Sequence, residues 1–147
     1  MLAWANWFGR ANMNGKRPLL YIAGPYRAET PEGVQANVLM ASRYGLHFAA
    51  KGWAPVVPHA LTWKLAELDT EKRMSDGAWL DITMEFALMC DAAFFCEGWE
   101  DSRGATAERK ALEDEHVACF DAVEDVPDGA DFWDWCFSEA GRNWHLS

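Results

Sequence analysis

Glu108 is the side chain in this chain whose setting points most directly to chemistry. An apolar run, Asp91 to Cys96, empties into a polar, glycine-punctuated loop that opens a helix at Ser102 and Gly104. On a helical wheel started at Gly104, Ala105, Ala107, Ala111 and Leu112 fall on one side. Arg109, Lys110, Glu113 and Asp114 take the other, with Arg109–Glu113 and Lys110–Asp114 spaced as solvent-facing i,i+4 pairs. Glu108 falls in the middle of the apolar side. Desolvation raises the pKa of an inward carboxylate, which suits general acid–base or nucleophilic work beside a cleft. The plain alternative is that Glu108 caps or pairs within the fold. Ser102 and Gly104 sit where the free N–H groups and the positive dipole end of a helix favour an anion such as phosphate. A serine at such a place also serves as an ordinary N-cap.

These residues need elements to hold them. Pro18 to Ala23 reads as a short buried strand, with Gly24-Pro25-Tyr26-Arg27 turning at its carboxyl end. Thr30-Pro31 supplies a cap and a first-turn proline for a helix to about Lys51, with Val34, Val38, Ala41, Gly45 and Phe48 on one face. Gly52 ends it, Trp53 to Val57 makes a second strand, and Pro58-His59 closes that strand. Residues 60–76 read as a helical insertion with polar loop character, and Ser75-Asp76-Gly77 starts a helix to Met89. Asp91–Cys96 is a third strand and Val117–Phe120 a fourth. Alternation of strand and helix predicts an α/β fold, a Rossmann-like (flavodoxin-like) three-layer domain with a mainly parallel sheet of about four to five strands. Right-handed crossovers bring Tyr21–Arg27, Pro58-His59 and the Gly98–Glu108 loop to one carboxyl-edge crevice.

The 147 residues are read as a single domain with a core at about 18–120, an N-terminal extension at 1–17 and a tryptophan- and acid-rich tail at 121–147 without an assigned role. A net charge of −10 argues against a nucleic-acid polymer as partner. No stretch suits a membrane span and no leader pattern begins the chain, so a cytoplasmic protein is expected. Cys90, Cys96, Cys119 and Cys136 lack C-x-x-C spacing and read as reduced and buried, and the four histidines form no metal cluster. Among the nine tryptophans, Trp4, Trp7, Trp133, Trp135 and Trp144 lie in the terminal segments, where they cover core or meet a partner subunit.

Tyr21-Ile22-Ala23-Gly24-Pro25-Tyr26-Arg27, Asp91, and Ser102-x-Gly104-x-x-x-Glu108 together resemble the nucleoside 2-deoxyribosyltransferase superfamily over roughly residues 18–120. With Asn37 in the first helix and His59 after the second strand, the pattern is especially similar to the 2′-deoxynucleoside 5′-phosphate N-hydrolase branch and related phage and bacterial proteins of uncharacterised activity. The resemblance implies that Glu108 is a nucleophile at the anomeric carbon of a deoxyribosyl group and that Tyr21 orients it. A second acidic group protonates the leaving base. It also implies that Ser102, Arg27 and the Gly24 and Gly104 backbones hold a 5′-phosphate, that no cofactor or metal is needed, and that the protein is a homodimer acting on a small nucleoside or nucleotide.

Two departures accompany it. Relatives commonly carry an aspartate about eight positions before Asp91, where this chain has Thr83, with Asp81 and Asp76 as nearby substitutes. Pro25-Tyr26 replaces the small and aliphatic residues of the phosphate-hydrolase branch. Each placement has a plain structural counterpart: a solvated Asp81, a surface Arg27, a core Tyr21, a turn-forming Asp91, and a His59 that merely ends its strand. The competing function is a nucleotide-binding sensor or sequestering module without chemistry, favoured by the missing aspartate. A dinucleotide-binding enzyme fits poorly, because neither G-x-G-x-x-G nor a Walker lysine motif is present.

Overall fold

The computed structural model describes residues 16–138, 140 and 141. Four strands, β1 (Leu19–Ala23), β2 (Ala54–Val56), β3 (Ala92–Phe95) and β4 (Ala118–Phe120), form one sheet in the order β2-β1-β3-β4. All three pairings are parallel. The helices are α1 (Pro31–Ala50), α2 (Pro58–Leu68), α3 (Asp76–Leu88), α4 (Arg103–Asp114) and a short α5 (Phe132–Phe137). The architecture is thus the expected Rossmann-like α/β fold.

Strand alternation divides the core. Leu20 and Ile22 face one side of the sheet, where they meet Ala41 and Phe48 of α1; Tyr21 and Ala23 face the other, against Ala87 of α3 and Leu112 of α4. Both faces of the central strand are therefore covered, which is why β1, β3 and β4 read as short apolar runs without polar alternation.

The helix starts follow the capping residues. Thr30 Oγ1 accepts from Gly33 N at 3.1 Å ahead of Pro31, Ser75 Oγ from Ala78 N at 3.1 Å, and Ser102 Oγ from Ala105 N at 3.3 Å. Gly52, at φ +94°, takes the left-handed conformation that lets the chain leave α1 and enter β2.

Three sequence readings change. Pro58 and His59 open α2 rather than close β2: the fixed φ of proline suits the first turn of a helix, where its missing N–H is not needed. Within the 60–76 stretch the helix ends at Leu68, and Asp69 caps the loop that follows by accepting from Arg73 N at 3.0 Å and Met74 N at 2.9 Å. The core also does not stop at Phe120. Residues 121–137 return along the sheet face covered by α1, where Phe132 is fully buried and Trp53 Nε1 donates to Pro127 O at 2.9 Å. Trp133 and Trp135 pack there too, whereas Trp4, Trp7 and Trp144 lie outside the described residues. All four cysteines are buried thiols. Among the described residues no helix is long and apolar enough to cross a membrane, and no cluster of His, Cys, Asp or Glu could hold a metal ion.

Candidate functional site

In the strand order β2-β1-β3-β4 the chain passes from β1 to β2 on one side and then crosses back over β1 to β3 on its other side, so the winding reverses between β1 and β3. That reversal opens a crevice at the carboxyl ends of β1 and β3. A cleft of about 860 Å³ lies there, a volume that suits a small organic ligand. Its wall brings together Gly24, Pro25 and Arg27 from the β1 turn, His59 from α2, Ser102 and Gly104 from the α4 start, and Glu108 one turn further on.

Glu108 is 7 % exposed. Its Oε1 accepts from Tyr21 Oη at 3.0 Å and from Thr83 Oγ1 at 3.1 Å. Burial raises the Glu108 carboxyl to about 7, against the pull of the two hydroxyls. Burial also pushes the Tyr21 phenol well up, and the adjacent Glu108 pushes it further, so Tyr21 acts as a neutral donor. The site thus holds a carboxyl poised between its two protonation states near neutral pH, which is the condition for proton transfer or nucleophilic attack.

His59 is 6 % exposed, and burial lowers its imidazole to about 4. Its Nε2 lies 3.1 Å from Gly24 O, a carbonyl that can only accept, so the neutral ring carries its hydrogen on Nε2. That bond and the tilted Tyr26 ring, 5.3 Å away, brace the turn after β1. Asn37 braces the same turn by donating to Tyr26 O at 3.1 Å; it does not line the cleft, so its place is behind the wall rather than in it. Gly24 is required at the end of β1, because a Cβ there would stand 2.8 Å from the Cys96 Cβ.

Arg27 reaches across the mouth to form an ion pair with Asp76. Ser102 Oγ is occupied as the α4 cap. In an α-helix the first N–H groups, here those of Arg103 and Gly104, have no partner within the helix, and a Cβ on Gly104 would meet nothing within 4 Å. We expect Gly104→Ala to raise stability by about 0.5–1 kcal/mol while weakening ligand binding through the methyl placed at the cleft wall. A thermal melt and a binding titration on one sample check both signs.

Two of the carboxylates weighed from the sequence fall away from the cleft. Asp81 is exposed and lies off the wall, because Asp76, Trp79, Leu80 and Thr83 share one helical face and Asp81 points to the opposite one. Asp91 sits at the amino end of β3, where its Oδ2 accepts from Leu19 N at 2.8 Å and its own N–H donates to Leu19 O at 2.9 Å; it ties the strand starts together. The sequence reading brought Tyr26 and Asp101 to the crevice only as parts of their loops, and it missed Trp79 and Leu80, which line the cleft, and the bond from Thr83 to Glu108. The i,i+4 spacing of Trp79 and Thr83 after the Ser75 cap was the available signal, since it puts both on one helical face.

No curated protein and no solved structure matches the chain. A family model does match, over residues 18–120, an interval that runs from the residue before β1 to the end of β4 and includes every residue of the cleft wall. The chain therefore belongs to the family described as a domain of unknown function, DUF7768.

Proposed function

We propose that this cleft cleaves the N-glycosidic bond of a (deoxy)nucleoside or nucleoside 5′-monophosphate, by hydrolysis or base exchange, with Glu108 as nucleophile. The observation that carries the reading is the Glu108 carboxyl itself: buried at the wall of a ligand-sized cleft, held through Oε1 alone, with Oε2 taking no hydrogen bond from any described residue. In the proposed step Oε2 attacks the anomeric carbon, the bond to the base nitrogen breaks, and the base leaves with that electron pair and gains a proton. Water, or a second base, then attacks the same carbon and returns Glu108 as a carboxylate.

Asp76 and Asp101 are the aspartates on the cleft wall, and they replace Asp81 as the candidates for the proton on the departing base. Arg27, Arg103 and the open N–H groups at the α4 start are the groups on offer to a 5′-phosphate, with the Asp76 partner of Arg27 as competitor. Trp79, Tyr26 and Leu80 supply apolar surface for a base. No cofactor enters this scheme. Buried thiols suit a reducing compartment, so the reading includes a cytoplasmic location, and the resemblance extends it to a homodimer.

The test is chromatographic detection of free base after incubation with each deoxynucleoside and its 5′-monophosphate, with and without an acceptor base. We expect release without acceptor for a hydrolase, and a new nucleoside or nucleotide formed only with acceptor for a transferase. Binding without release from any substrate would overturn the catalytic reading in favour of a nucleotide-binding module. That second reading is supported by Thr83 standing where an acid is expected and by Asp81 facing away.

A further inference from the structure

Two hydroxyls from different elements converge on a single oxygen of Glu108. Tyr21 Oη reaches Oε1 from β1 at 3.0 Å, and Thr83 Oγ1 reaches it from α3 at 3.1 Å. The Thr83 hydroxyl stands equally close, 3.1 Å, to Leu80 O in its own helix. A hydroxyl has one hydrogen, so it serves one of these acceptors at a time. An ionised carboxylate is the stronger acceptor; a neutral carboxyl competes less well with a backbone carbonyl.

We propose that Thr83 is a positioning residue, whose hydroxyl turns from the Leu80 carbonyl to Oε1 as Glu108 ionises and, with Tyr21, fixes the carboxylate plane so that Oε2 is the atom presented to the ligand. One donor leaves the carboxylate free to rotate about its last bond, and a second from another element removes that freedom. The purpose given to Oε2 rests on the glycosidase reading, whereas the hydroxyl switch does not.

Besides Glu108, the charged and titratable groups on the same cleft are Tyr26 and Arg27 after β1, His59 of α2, Asp76 of α3, Asp101 ahead of α4, and Arg103 within α4. Arg27 is taken up by Asp76 and His59 by Gly24 O. Among the described residues the hydrogen bonds to the Glu108 carboxyl come from Tyr21 and Thr83. Threonine at this place thus has a positive role, where an aspartate would set a like charge against Oε1 and disfavour ionisation.

The experiment is a carbon-13 NMR titration of the glutamate side-chain carboxyls in the full chain, with Glu108→Gln identifying the Glu108 signal. Thr83→Val, which keeps the shape and removes the hydroxyl, is expected to move the Glu108 midpoint up by about one pH unit, a tenfold rise in proton affinity. Thr83→Ser, which restores the hydroxyl, is expected to titrate as the parent does. An unmoved midpoint in Thr83→Val would overturn the proposal, and Thr83→Ala answers the same question if the valine variant does not fold. Where base release is measurable, the acid limb of kcat/KM should move by the same amount. If no base is released from any substrate the glycosidase reading falls alone, because the titration still decides the role of Thr83.

Discussion

Glu108→Gln is expected to abolish base release while making the protein more stable above pH 7. The amide keeps an oxygen for Tyr21 and Thr83 but has no charge and no nucleophilic oxygen, so turnover should fall by at least about a thousandfold. The stability effect has a sign fixed by linkage. The Glu108 carboxyl titrates at about 7 in the folded protein against an ordinary value of 4.5. Between those values the folded state therefore holds a proton that the unfolded chain has lost, and stability falls as pH rises through that window. The difference of about 2.5 units corresponds to about 3 kcal/mol, fully present above pH 7 and absent below pH 4.5. Glutamine removes it. Urea unfolding of both proteins at pH 5 and pH 8 should give similar midpoints at the lower pH and a higher midpoint for Glu108→Gln at the upper. Base release should rise through pH 7, where stability has reached its lower level. A variant that released base at the parental rate would sink the nucleophile assignment.

The second large effect is expected far from the cleft. Phe132 is fully buried with its ring 4.9 Å from Trp53, 5.0 Å from Trp133 and 6.0 Å from Trp135. Phe132→Ala should cost about 3–5 kcal/mol, a large fraction of the stability of a domain this size. The same segment is held at Gly129, whose N–H donates to Lys51 O at 2.8 Å, and a Cβ at Gly129 would stand only 2.2 Å from Gly52 O. The tail is thus locked to the end of α1 by backbone contact as well as by rings. A shift of less than about 1 kcal/mol in a denaturant titration of Phe132→Ala would mean that residues 121–137 are an appendage after all.

The sequence disclosed local signals and concealed distant ones. Caps at Thr30, Ser75 and Ser102 announce helix starts because each bond spans three residues. Glu108 was legible as an inward carboxylate because one helix carries both its apolar and charged faces. Thr83 reads as a missing acid, and its bond to Glu108 joins residues 25 apart on separate helices, which no periodicity encodes. The Arg27–Asp76 pair is hidden for the same reason. In the tail, Phe132, Trp133, Trp135, Cys136 and Phe137 crowd one short helix, so apolar residues occur on every side and no face stands out. Pro58-His59 was ambiguous because proline both ends strands and begins helices.

Burial makes three of the four thiols, Cys96, Cys119 and Cys136, poor targets for thiol reagents in the folded protein. Burial pushes the Cys96 and Cys119 thiols up to about 12 and raises that of Cys136, and alkylating agents react with thiolates rather than thiols. The exposed side chains of the cleft rim include Asp101 and Arg103, neither of them reactive towards such agents. A cysteine placed at either position would therefore react ahead of Cys96, Cys119 and Cys136 in the native state, letting a fluorophore there report on cleft occupancy.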